Sequence, residues 1–157
     1  MYYIVVILLT VVLPIGSAVV ERVYDSTEPW TILLGAWMVF WAGGVRLFMA
    51  GVRQVVQPRF TSEEIFGIKS DEPLPIVQEL GFANLAMSAL SLLTIADQGL
   101  LLSAAIVGGL YYGFAGVRHM THGEANARRV TAMVTDLVVF VVLTAFVVAH
   151  VYPGYAL

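Results

Sequence analysis

The run VTAMVTDLVVFVVLTAFVVAHV, from Val130 to Val151, holds a single formal charge, Asp136. At 1.5 Å per residue a helix of this length reaches about 33 Å, enough to cross the roughly 30 Å hydrocarbon core of a bilayer. The rest of the chain has the same character. It is 59% hydrophobic and 12% charged, with a mean hydropathy of +0.86, whereas soluble domains carry about 25% charged residues. Too few polar side chains are present to cover a water-exposed surface. The fold expected is an all-α, polytopic transmembrane helix bundle, one domain over residues 1–157.

Four further spans follow from the same criterion. The first runs from Tyr2 to Val20 and is expected to bend near Pro14. It lacks a positive n-region, and Gly16-Ser17-Ala18 is a weak cleavage signal, so it is read as a retained span rather than a secretion signal. A polar stretch with Glu21, Arg22, Asp25 and Glu28 leads to the second span, Trp30 to Val56. Pro29 suits its start, and Trp30, Trp37 and Trp41 add aromatic bulk to its outer half. The third span runs from Pro75 to Ala96 and the fourth from Leu100 to Arg118, with a tight turn at Asp97-Gln98-Gly99 between them. A polar connection over 119–129 precedes the fifth span, which Pro153-Gly154 ends. In the longest connector, Thr61-Ser62-Glu63-Glu64 fits a capping box and predicts a short surface helix over about 61–67.

The basic residues set an orientation. Six of the eight, Arg53, Arg59, Lys69, Arg118, Arg128 and Arg129, fall on the side of Met1, against Arg22 alone on the other, with Arg46 inside a span. The positive-inside rule then places the N-terminus in the cytoplasm and the C-terminus outside, in a multi-pass protein of the cell inner (plasma) membrane.

Composition also excludes chemistry. With no cysteine, thiolate metal sites, iron–sulfur clusters and cysteine nucleophiles are ruled out. A net charge of −3 and no basic run give no reason to expect nucleic acid as a partner.

Charges inside a span are costly and usually face the bundle interior. Glu79 lies about 5 Å from the cytoplasmic start of its helix, Asp136 about 9 Å and Arg46 about 15 Å, with Arg53 nearer the surface. His119 ends the fourth span on the same side. Arg46, Ala50 and Arg53 share one stripe, and Tyr112, Gly116 and His119 share another. Gly81, Asn84, Ser88 and Ser91 form a third, from which Glu79 points about 140° away. Two readings stand side by side. In one, Arg46 and Arg53 neutralise Glu79 and Asp136 as a structural network. In the other, Arg46, Arg53, Glu79, Asn84, Tyr112, His119 and Asp136 line a pocket open to the cytoplasm. Glu79, His119 and Asp136 have ligand atoms suited to a metal ion, though nearby arginines would repel it. His119 and His122 are three residues apart, a weak metal signal, and His150 lies too near the outer end to pair with either for a haem. No cofactor is assigned. Gly109, Gly113 and Gly116 make a smooth face for helix packing.

The segment Pro75-x-x-x-Glu79-x-Gly81-Phe82-Ala83-Asn84-Leu85, with Gly116-x-x-His119, Asn126 and Asp136, resembles an uncharacterised family of small bacterial multi-span membrane proteins, known as a domain of unknown function. The resemblance covers roughly Ile65 to Val148. It implies a membrane bundle and no established activity. Arg128-Arg129 departs from the smaller residues of that pattern, which implies a different partner for the second loop.

No nucleophile–base motif, phosphate loop or cofactor fingerprint marks an enzyme. The expectation is a non-catalytic accessory or scaffold subunit of a larger membrane complex, with lipids and other membrane subunits or further copies of itself as partners. The alternative is a small-ligand or lipid-binding component, of a transporter for example, that uses the cytoplasmic pocket.

Overall fold

Five helices in the computed structural model are long and apolar enough to cross a membrane: α1 Tyr2–Tyr24, α2 Trp30–Val56, α4 Leu74–Leu93, α5 Gln98–Thr121 and α6 Ala127–Val151. A short helix, α3, occupies 58–65 between α2 and α4. The structure describes residues 2–24, 27–121 and 126–155, so Asp25 and His122 of the sequence reading lie outside the described residues. No strand forms among the described residues. The all-α, five-span bundle read from the sequence is the fold observed. Its outward face carries bare apolar side chains such as Ile4, Val23, Ile76 and Phe114, as a surface against lipid requires.

Two of the spans are not regular. In α1 the stretch Leu8–Val12 is wound as a π-helix, ending two positions before Pro14. Pro14 has no N–H to return to the Thr10 carbonyl, so the ladder is broken there and the wider winding absorbs the defect. In α2 the stretch Val39–Arg46 is π-helical and contains Gly43 and Gly44. The two π segments pack on one another. Two indoles tie α1 to α2: Trp37 Nε1 donates to Glu21 at 2.6 Å and Trp41 Nε1 to the Ser17 hydroxyl at 3.0 Å.

α3 differs from its sequence expectation. It starts at Pro58, so Thr61 is already inside the helix and no side-chain cap forms. The capping box would have needed Thr61 in extended backbone. The buried Ser62 hydroxyl instead donates to the Ile68 carbonyl at 2.8 Å and closes the turn. Gly67 takes the left-handed φ of +74° that this turn requires. The connector is pinned by Arg59 on Asp71 at 2.6 Å and by an ion pair between Arg128 and Glu64.

The core runs through the middle of the bundle, with Met38, Val39, Ala42, Leu47, Ala104, Ala105, Tyr112, Val139, Leu143 and Phe146 in contact. Glycines let the large residues of α6 sink into their neighbours. A Cβ on Gly35 would lie 2.3 Å from Phe146, one on Gly113 2.7 Å from Phe140, and one on Gly116 2.7 Å from Leu137. The α5 glycine face is thus filled within the chain. α2 and α4 approach just as closely: a Cβ on Gly51 would lie 2.8 Å from the Gly81 carbonyl oxygen.

Candidate functional site

At the end of the bundle where α2 finishes and α4 begins, the five spans and α3 border a half-open cavity of about 510 Å³. Most basic residues gather at this end, called here the basic end. Of the residues singled out in the sequence, Arg46, Arg53, Asn84, Tyr112, His119 and Asp136 line the cavity. Arg46 arrives at the last position of the π segment of α2. Its Nη2 donates to Asp136 Oδ1 at 2.7 Å and to the Thr135 hydroxyl at 3.2 Å, and its Nη1 to the Thr10 hydroxyl at 3.4 Å. Three helices therefore converge on one guanidinium. Its Cζ also lies 5.1 Å from the centre of the Tyr112 ring, within cation–π range. The Tyr112 hydroxyl donates to the Ala42 carbonyl at 2.7 Å, inside the same π segment.

The ion pair is largely removed from solvent, with the Arg46 and Asp136 side chains 12% and 7% exposed. Burying one such charge alone would be expensive; together, with two hydroxyls completing the shell, they are tolerated. His119 Nε2 sits 3.9 Å from the second oxygen, Asp136 Oδ2, too far for a direct hydrogen bond. Arg129 closes this side by donating from Nη2 to the His119 carbonyl at 2.6 Å, holding the last turn of α5 against the start of α6.

Glu79 stands apart. It lies on the exposed face of α4, while Asn84 lies on the buried face. No described residue pairs with it. The network expected between Glu79 and Arg46 is not formed. The reason is the offset of about 140° between positions 79 and 84, since Asn84 faces α2 and so Glu79 must face out. The metal set of Glu79, His119 and Asp136 is undone by the same geometry, and no group of three His, Asp or Glu among the described residues is placed to hold a metal. Arg53 is also outside the ion pair; its guanidinium lies over the Phe60 ring, 3.4 Å from the centroid. His150 is at the opposite end, beside Phe146.

The polar lining is incompletely matched. Asn84 Nδ2 donates to Gln54 Oε1 at 2.6 Å. Its Oδ1 is buried and has no hydrogen-bond partner, although the Tyr111 hydroxyl lies beside Asn84. Arg46 keeps its Nε–H free of any described acceptor. Sequence reasoning missed Thr10, Gln54, Tyr111 and Thr135. Thr10 carried a signal, as the single hydroxyl in the apolar run before Pro14; Thr135 carried another, as the neighbour of Asp136.

Searches of curated proteins and of solved structures give no match to this chain. The family likeness read from the Glu79–Leu85 segment and its companions extends well beyond Ile65–Val148: a model described as a family of unknown function, DUF6790, matches residues 1–153, and the chain belongs to that family.

Proposed function

We propose that this protein is a ligand-binding component of the plasma membrane, holding a small or lipid-like molecule in the cavity at its basic, cytoplasmic end. The observation that carries this reading is Asn84 Oδ1, a buried acceptor without a donor in the wall of a cavity of about 510 Å³. Buried polar atoms in folded proteins are nearly always paired, and this one, unlike the equally unpaired Ser88 Oγ, belongs to a residue in the cavity wall. The volume lies in the roughly 300–1,000 Å³ range of small-molecule sites, and a mostly apolar wall with a few fixed polar groups is their usual make-up. The ion pair at its base serves as a rigid platform, because Arg46 is held from three helices at once.

The test is gentle purification in a neutral detergent followed by native mass spectrometry. A stoichiometric small molecule should leave the wild-type protein on activation and be missing from Ala115→Trp and from Ala50→Phe, each of which fills the cavity. An empty wild-type protein, with a partner chain retained by all three forms, would overturn the reading. Orientation is tested separately with single cysteines, for which the cysteine-free chain is ready-made. Lys69→Cys should label from the cytoplasm and Gln98→Cys from outside.

One observation favours the accessory-subunit reading instead. Glu79 is exposed on an otherwise apolar face of α4, beside Ile76 and Phe82, and a partner subunit with a basic group at that depth would neutralise it. The filled glycine face of α5 takes support from that reading, because it leaves no smooth stripe there for another chain.

A further inference from the structure

The charges around the cavity are layered. Deep inside, Arg46 and Asp136 neutralise each other. Nearer the basic end, Arg53 and Arg118 both line the cavity, and no carboxylate among the described residues lies within ion-pair distance of either. Arg53 and Arg46 are both on α2, seven positions apart, so the two layers are separated by about 10 Å along the helix. The rest of the wall is mostly apolar, with Leu47, Met49, Leu80 and Ile65, joined by Gln54 and Thr61. The deep layer is neutral overall but offers both donors and acceptors: the Arg46 Nε–H, the orphan Asn84 Oδ1, the Tyr111 hydroxyl and Asp136 Oδ2 with only His119 at 3.9 Å.

A cation is disfavoured at the rim by two guanidiniums that no described carboxylate neutralises. An anion is disfavoured in the deep layer, where it would face Asp136. A wholly apolar molecule would leave Asn84 Oδ1 with no donor at hand but the neighbouring Tyr111 hydroxyl. One ligand chemistry satisfies all three constraints. We infer that the cavity takes a single-chain anionic amphiphile whose acidic head, a carboxylate or phosphate, lies at Arg53 and Arg118, and whose far end carries a hydroxyl or similar donor–acceptor group that reaches Asn84. This rests on the cavity being a ligand site, as proposed above. The hydroxyl donates to Asn84 Oδ1 and accepts from Arg46 Nε. The head sits at the mouth, where Arg53, stacked on Phe60, presents its N–H edge. A volume of about 510 Å³ accommodates one such chain.

The experiment measures calorimetric binding to the full chain in a neutral detergent, with four probes: ω-hydroxydecanoate, decanoate, decanediol and acetate. ω-Hydroxydecanoate should bind tightest. Decanoate should lose about tenfold, the value of one hydrogen bond to an otherwise orphaned buried group. Decanediol should lose about tenfold or more with the charge, and acetate should not bind, which separates the amphiphile from its free headgroup. R53Q/R118Q should reduce the hydroxyacid to the level of the diol, and Asn84→Leu should reduce it to the level of the simple acid, each with unchanged helical circular dichroism. Equal binding of diol and hydroxyacid, or no effect of R53Q/R118Q, overturns the inference while leaving the ligand site standing. If no probe binds but a small molecule still leaves the wild-type protein in the mass spectrometer, the inference again fails alone. Probes that bind wild type and Ala115→Trp alike show only partition into detergent and overturn both.

Discussion

Two neighbouring stretches of α6 solve opposite problems. From Leu137 to Phe146 the helix sends Leu137, Phe140 and Phe146 into Gly116, Gly113 and Gly35 of its neighbours, with Leu143 against Gly109. Immediately before it, Thr135 and Asp136 reach the Arg46 guanidinium with hydrogen bonds. In lipid there is little hydrophobic drive between helices, so the first stretch holds by close contact and the second by electrostatics in a low dielectric. The lesson is that the glycine-filled contacts leave no room for a ligand, whereas the cluster around Arg46 has a cavity beside it. The cavity lies on the polar side of this boundary.

The sharpest way to break the comparison is to remove one charge. Asp136→Ala should cost about 3–5 kcal/mol, because Arg46 is then buried without a counter-ion. The double variant with Arg46→Leu should recover much of that loss. Denaturation of the purified protein in mixed micelles measures both, and strictly additive losses would mean that the ion pair has no role in stability. On the packed side, Gly35→Leu should cost about 1–3 kcal/mol or more by overpacking against Phe146. Phe146→Ala in the same chain should return part of it, and no return would place the strain elsewhere.

A smaller effect is expected where α6 begins. Asn126 Oδ1 accepts from the Arg129 N–H at 2.8 Å as an N-cap. Asn126→Ala should therefore cost about 1 kcal/mol, read as a lower melting temperature with the spans intact. The smallest belongs to Glu79. Since no described residue pairs with it, Glu79→Gln in the isolated protein should change stability by less than about 0.5 kcal/mol. A larger loss that appears only in native membranes would locate a partner subunit on that face of α4.

Much of this contrast was legible in the sequence and some was not. The spans followed from charge-poor runs, and the glycines at 109, 113 and 116 announced a close helix contact. Arg46, His119 and Asp136 stand out because buried charge is expensive and each can be placed by depth along its own helix, and Tyr112 through the stripe it shares with His119. Faces were harder. The angular offset of Glu79 from Asn84 was available, but nothing in the sequence said which of the two turned inward; Gly51 against Gly81 decides that by drawing the Asn84 side of α4 onto α2. The π winding of Val39–Arg46 was not legible at all. It depends on how Gly43 and Gly44 meet Ser91 and Leu92 of α4, contacts that regular 3.6-residue geometry does not foresee. The cation–π contact of Arg53 with Phe60 is hidden for a similar reason, since the capping-box signal starts α3 only at Thr61 and leaves Phe60 outside it.

The π segment of α2 also bears on how such a site could arise or be lost. A π turn is an α turn that has absorbed one additional residue. On either side of it, α2 keeps its register, with Gly35 on Phe146 before it and Gly51 on Gly81 after it. Deleting a single residue between Leu47 and Ala50 would let the π stretch relax to ordinary α-helix while Gly35 and Gly51 keep their partners. The bundle would persist, and the guanidinium would be carried to a different bearing around the helix axis. In this chain, a change of one codon in length, rather than a change of residue type, separates a membrane bundle that has a charged platform from one that has none.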